Sequence, residues 1–226
     1  YGGIRLIKAM IKVFYEYCIS HDITLEEKNF TIRYATDIPQ RLGLAGSSAI
    51  ITAGMKALMQ FYGVSIEPAE LANLVWSVEI QELGISAGLQ DRVAQAYEHP
   101  VFMDFNKDYM TQHGIGKYSP IDPSQLPKFY IAYKREDSEG SEVSHSNLRA
   151  RYEMGDQQIL LAIEEWSGLS VEMKSCIDNR KPELIPELMN RNFDLRNQIL
   201  NIKAEQKRMV DIARSAGASA KFTGSG

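Results

Sequence analysis

The feature that most limits what this chain can fold into is the run Gly43, Leu44, Ala45, Gly46, Ser47, Ser48, Ala49, set between an alternating segment and a helical one. Ahead of it, Phe30, Ile32 and Tyr34 alternate with Thr31, Arg33 and Ala35, the period of two of a half-buried strand, which Asp37, Ile38 and Pro39 end. Behind it, Ile50, Ala53, Ala57, Leu58 and Phe61 fall at helical spacing. Strand, glycine-serine loop and helix in that order aim a flexible backbone turn at a helix N-terminus, where unpaired amides and the helix dipole favour an anion. Taken alone the run has two readings: a cradle for phosphate, or a tight turn whose serines cap the helix. It is not the Walker loop, because Gly-Lys-Ser/Thr is absent.

The rest of the chain predicts alternating helices and strands. Ile4, Ile7, Ile11, Phe14 and Cys18 make one face of a first helix, and Leu71, Leu74, Val75 and Val78 form the stripe of another opened by Glu67 and Pro68 and broken by Gly84 and Gly88. A short helix over Leu89–Tyr97 and a strand over Val101–Phe105 follow. Residues 106–128 hold three prolines and little periodicity, which puts a domain boundary near Pro127. Phe129–Tyr133 reads as a strand, and helical patterns cover 156–179, 182–201 and 205–215 before the chain closes on GASAKFTGSG.

Composition narrows the function classes. With 226 residues, 44% hydrophobic and 24% charged, the chain can bury a core. A net charge of -4 without a basic stripe argues against nucleic acid as partner. Charges break every apolar stretch well short of the roughly 20 residues a bilayer span requires, so no membrane partner is expected. Cys18 and Cys176 lack CxxC spacing, which points away from a disulfide framework or a zinc site and towards a reducing, cytoplasmic compartment.

Two further constellations can carry chemistry. Glu79 and Asp91 are separated by a glycine-containing turn, and such a pair near a phosphate loop can divide the labour: one carboxylate on Mg2+, the other accepting a proton from a substrate hydroxyl. Solvated helix-end carboxylates are the alternative. Lys221, Phe222, Thr223, Gly224, Ser225 and Gly226 form either a second phosphate loop or a flexible tail. Arg92 reads as a solvated neighbour of Asp91, the alternative being that it tunes that carboxylate. A serine hydrolase built on Ser47 or Ser48 is set aside, since no His stands in a supporting context.

Together the three segments resemble the GHMP kinases. Pro39 to Ala49 is similar to their nucleotide motif Pro-x-x-x-Gly-Leu-Gly-Ser-Ser-Ala, Glu79 to Asp91 to the stretch in which a magnesium-binding glutamate precedes the catalytic aspartate, and Gly217 to Gly226 to their C-terminal glycine motif. One extra residue makes the loop GLAGSS instead of GLGSS, a form that looks most like the glucuronokinases of the family, as do AGLQDRVAQ and AKFTGSG. The resemblance implies a two-domain α/β (α+β) fold: a ribosomal-protein-like ATP-binding domain over 1–127 without its first strands, and a ferredoxin-like domain over 128–226 without its last strand. It implies ATP and Mg2+ as cofactors and a sugar or sugar acid as substrate, with glucuronate 1-phosphate as the expected product. Another GHMP acceptor (galactose, arabinose or mevalonate) and a non-catalytic nucleotide- or sugar-binding relative are the alternatives. Carried over by motif, Pro39, Gly43, Leu44, Ala45, Gly46, Ser47, Ser48 and Ala49 bind the nucleotide, Ser48 and Glu79 the metal, Asp91 is the base, and Thr223, Gly224, Ser225 and Gly226 meet phosphate or acceptor. Because Tyr1 is not a start methionine and family members have strands at both ends, the chain is expected to be an excerpt.

Overall fold

Helical periodicity gathers Leu6, Met10, Val13, Phe14, Tyr17 and Cys18 on one face of α1 (Gly2–Ser20), and all six are buried. The computed structural model describes residues 2–39, 42–133 and 142–224. Cα proximity divides the chain into two compact units, Tyr1–Pro39 with Ala45–Pro123, and Gln40–Leu44 with Ser124–Gly226.

In the first unit, α2 (Gly46–Tyr62) lays Ile51, Met55 and Leu58 into the same core as α1. Their approach is close because Gly54 has no side chain: a Cβ there would stand 2.2 Å from Met10 Sδ. Gly63, at φ 68, ends α2 by returning its amide to Met59 O, a left-handed cap that glycine adopts without strain. Pro68 opens α3 (Pro68–Ser77), whose Leu71, Ala72 and Val75 are buried, and the helix widens into a single π-helical turn over Val78–Glu82. Then comes α4 (Gln90–Tyr97), with Arg92, Val93 and Ala96 inward. A small antiparallel sheet, β1 (Val101–Asp104) with β2 (Lys117–Pro120), is registered Val101 to Pro120 and Asp104 to Lys117, with α5 (Lys107–His113) between its strands. Each large apolar side chain fully buried in this core contributes roughly 1.5–3 kcal/mol.

The second unit holds α6 (Glu142–Glu153), α7 (Gln157–Asp178), α8 (Ile185–Ile199) and α9 (Ala204–Ser215). Asp156 caps α7 by accepting from the Gln158 amide at 3.0 Å. Ile159, Ala162, Leu169, Cys176 and Ile177 of α7 are buried, as are Ile185, Leu188, Phe193 and Leu195 of α8, the helix that packs against it.

The helices fall close to their sequence patterns, with α6 an addition that its weak amphipathicity concealed. Two strand expectations do not hold. Residues 30–35 and 129–133 join no ladder among the described residues. A strand exists only where another segment accepts its amides and carbonyls, and alternation alone cannot supply that partner. Phe30 instead meets Phe61 and Tyr62 edge-on, at centroid separations of 5.6 and 6.3 Å. The described chain is therefore a mixed, mainly helical structure with one small sheet, where the sequence predicts a fuller α/β arrangement. Among the described residues no helix is long and apolar enough to cross a membrane.

The α1–α2 contact at Gly54 gives a direct test. Gly54→Leu forces Met10, which is fully buried, out of its place, and overpacking of this kind costs about 1–3 kcal/mol in urea denaturation.

Candidate active site

Ala45 takes the left-handed conformation, φ 54 and ψ 36, immediately before α2 and caps it with no side chain. The first amides of the helix are thus left for water or a ligand, at the positive end of a 17-residue helix. Gly46, Ser47, Ser48 and Ala49 form that first turn. Gly43, at φ 67, supplies the bend before it, and Pro39 and Leu44 are half-buried. A Cβ at Gly46 would meet only Ile38 Cγ2, at an ordinary 3.5 Å, so internal packing does not require glycine there.

The loop is held from α4. Ala45 O accepts the Ala49 amide at 3.1 Å, the Ser48 hydroxyl at 3.0 Å and Gln95 Nε2 at 3.2 Å. Gln95 Oε1 in turn accepts from Thr52 Oγ1 at 3.3 Å. Lys56 of α2 donates to the carbonyls of Gln95 and Ala96 at the C-terminal end of α4, where a cation suits the helix dipole.

Glu79 lies in the π-helical turn, a backbone irregularity that often accompanies functional sites. It is fully buried, at 0% exposure. Its Oε1 accepts from Ser47 Oγ at 2.7 Å, and its Oε2 accepts from Arg92 Nε at 2.7 Å and also from Arg92 Nη2. Arg92 Nη1 reaches the other carboxylate, Asp91 Oδ2, at 3.1 Å. Asp91 stands in the first turn of α4 with its side chain 53% exposed. The turn between the carboxylates is pinned by Ile85 N to Glu79 O and by Trp76 Nε1 to Ala87 O, both at 2.8 Å.

The structure thus brings Ser47, Glu79, Arg92 and Asp91 into one hydrogen-bonded line. Ser47 is the serine on Glu79, while the fully buried Ser48 turns its hydroxyl back to Ala45 O. The solvated reading of Arg92 is corrected: the residue is 6% exposed, because the buried Glu79 carboxylate demands a cation. Its position four residues before Ala96, on the inward face of α4, was the signal in the sequence. Neither Gln95 nor the pairing of Ser47 had any such signal.

Thr223 and Gly224 lie in the second unit, exposed, with Ser225 and Gly226 outside the described residues. Gly224 O accepts from Arg196 Nη1 at 3.0 Å, and Arg196 stacks over Phe222. Burial, and then the Arg196 charge, push the Lys221 ammonium below its ordinary pKa.

Residues 5–99 match the family model of the GHMP kinases N terminal domain, a span that takes in the loop, Glu79, Asp91 and Arg92. Over that span the chain is similar to a GHMP kinase N-terminal domain. Along its whole length it is 43% identical to glucuronokinase 1 and 44% identical to probable glucuronokinase 2, both of Arabidopsis thaliana, and covers 63% of each. It is 26% identical to a mevalonate kinase of Pyrococcus horikoshii over 91% of the chain and 60% of that protein. It spans about 63% of the length of its glucuronokinase relatives. No solved structure matches it. The uncapped helix and the two carboxylates thus lie together within the matched residues 5–99, in the part shared with these relatives.

The strained loop residue is testable. Ala45→Gly relieves a left-handed alanine and is expected to hold or raise stability by about 1 kcal/mol, whereas Ala45→Val lowers it by more than that. Chemical denaturation of both variants reads the difference.

Proposed function

We propose that the complete protein is an ATP-dependent sugar kinase that transfers the γ-phosphoryl group to a hydroxyl of glucuronate, giving glucuronate 1-phosphate. The observation that carries the acceptor is the 43% identity over the whole chain to a protein named glucuronokinase, against 26% to a mevalonate kinase. Residues 1–127 are assigned to the ATP-binding domain and 128–226 to the second domain. Two free, buried cysteines suit a cytoplasmic location.

In this reading the phosphates of ATP rest on the uncapped amides of Gly46, Ser47 and Ser48, where the lack of a side chain on Gly46 lets them approach the backbone. Asp91 is the base. One of its oxygens is taken by Arg92, which leaves Oδ1 to accept the proton of the acceptor hydroxyl. That hydroxyl oxygen forms the new bond to the γ-phosphorus as the bond from phosphorus to the bridging oxygen breaks and ADP leaves. Thr223, Gly224, Ser225 and Gly226 are assigned to phosphate or acceptor through the family resemblance.

The residues fit Mg2+ in kind. Among the described residues no three of His, Cys, Asp and Glu converge as a cage. Magnesium shared with a nucleotide needs only one or two carboxylates beside the phosphates, and Glu79 Oε1 and Ser47 Oγ are adjacent hard oxygens. Glu79 and the Ser47–Ser48 pair would hold it, and the ion would neutralise phosphate charge.

Asp91→Asn keeps the shape and removes the proton acceptor. Its kcat is expected to fall about 10²–10⁴-fold with ATP affinity by calorimetry little changed. Near-normal turnover, or equal phosphorylation of glucose and glucuronate in an ATP-consumption screen, would overturn the reading.

The serines are separable. Ser47→Ala is expected to raise the Mg2+ concentration for half-maximal rate more than Ser48→Ala does, since only Ser47 shares an oxygen of Glu79. A larger shift for Ser48→Ala would give the metal to that serine.

A further inference from the structure

We infer that Arg92 is a positioning residue that fixes the Asp91 carboxylate relative to Glu79, an inference that rests on the kinase reading above. Consecutive helical residues point about 100° apart, so Arg92 and Asp91 should face different ways. Arg92 is indeed buried and Asp91 exposed. The guanidinium nevertheless spans both, with Nε and Nη2 on Glu79 Oε2 and Nη1 on Asp91 Oδ2 at 3.1 Å.

Neutralising Glu79 explains only part of this arrangement. Two of the guanidinium nitrogens already serve Glu79, and a single ammonium could supply the same charge. The arm to Asp91 is surplus to that need. Its effect is to tie an exposed carboxylate, on the first turn of an eight-residue helix, to the most fixed group nearby. Glu79 is fixed by complete burial, by the Ser47 hydroxyl and by the Ile85 amide on its carbonyl. Only arginine has the rigid fork for this, since its donors lie in one plane at set angles.

With Oδ2 held, Asp91 loses most of its side-chain freedom and presents Oδ1 in one direction. An unheld aspartate visits several rotamers, and a displacement of about 1 Å in a reacting group can lower a rate by about 100-fold. Arg92 itself touches neither ATP nor acceptor in this scheme. Its influence on the rate passes through Asp91.

The test uses Arg92→Lys and Arg92→Gln in the complete protein, with kcat, the KM for ATP and crystal structures as readouts. Arg92→Lys keeps the charge that Glu79 requires and loses the fork, so it folds even if Arg92→Gln does not. Its kcat is expected to fall 10- to 100-fold while the KM for ATP stays within threefold. Its crystal structure is expected to retain the Ser47–Glu79 bond and to show the Asp91 carboxylate displaced or in two rotamers. Where Arg92→Gln folds, Arg92→Lys is expected to be several-fold faster. Wild-type kcat in Arg92→Lys, or an Asp91 carboxylate unmoved in its crystal structure, would overturn the inference. So would a shift of Glu79 with a matching rise in the KM for ATP, which marks a purely structural role. If the wild-type protein phosphorylates no acceptor, the kinase reading fails and the position of Asp91 in the Arg92→Lys crystal structure still decides the positioning role.

Discussion

The buried pair of Glu79 and Arg92 is the constraint on which the first unit depends. An ionised carboxylate without solvent exposure is tolerable only where a cation and hydrogen bonds replace the water it has lost. Arg92 supplies the charge and Ser47 satisfies the remaining oxygen. These partners come from the first turn of α2 and from α4, so satisfying one side chain fixes the loop, the π-helical turn and α4 together. Losing either partner of such a pair costs about 3–5 kcal/mol, more than most core contacts contribute. Replacing both by apolar groups is often harmless to stability, so the need for charge at this place is not a need of the fold alone.

The loop before α2 shows the same tension. An alanine in the left-handed region and a helix N-terminus without a side-chain cap are each unfavourable locally. Both persist because α4 holds the loop through Gln95, and because Thr52 and Lys56 tie α2 to α4 in turn. Irregular backbone kept in place by its surroundings is characteristic of sites where a ligand supplies the absent partner. The uncapped amides and the π-helical turn lie on either side of the Ser47–Glu79 bond, which makes that bond the centre of the site.

Much of this was legible in the sequence where a residue's role is local. The faces of α1, α2 and α3 follow from apolar spacing, and Gly63 and Pro68 bound helices for reasons internal to their own backbones. The loop and the two carboxylates stood out because glycine, serine and acidic residues are conspicuous between helical stretches. What was not legible depends on distant partners. Residues 30–35 alternate as a strand does, yet strand formation is decided by whatever segment lies alongside. Ser47 and Ser48 are indistinguishable as letters, and only the position of Glu79, 32 residues away from Ser47, separates them. Arg92 carries a charge that by itself points to solvent, while its place on the inward face of α4 points to burial, and the Glu79 carboxylate that decides between them is 13 residues away.

The charge balance gives the arrangement its electrostatic sense. Glu79 and Asp91 would together present two negative charges to any anion approaching the N-terminus of α2. Unit charges 4 Å apart interact by about 4 kcal/mol at the effective dielectric of a protein surface, enough to oppose binding strongly. Arg92 cancels one of the two without covering the exposed side of Asp91, and the N-terminus of α2 adds partial positive charge. An anion approaching this end of α2 therefore meets a nearly balanced field in which one carboxylate is neutralised and buried and the other is held but accessible. A single guanidinium thus does three things at once: it permits the burial of Glu79, limits repulsion of an anion, and leaves the Asp91 carboxylate facing outward. No neutral residue could combine them, and a lysine would combine the first two without orienting Asp91.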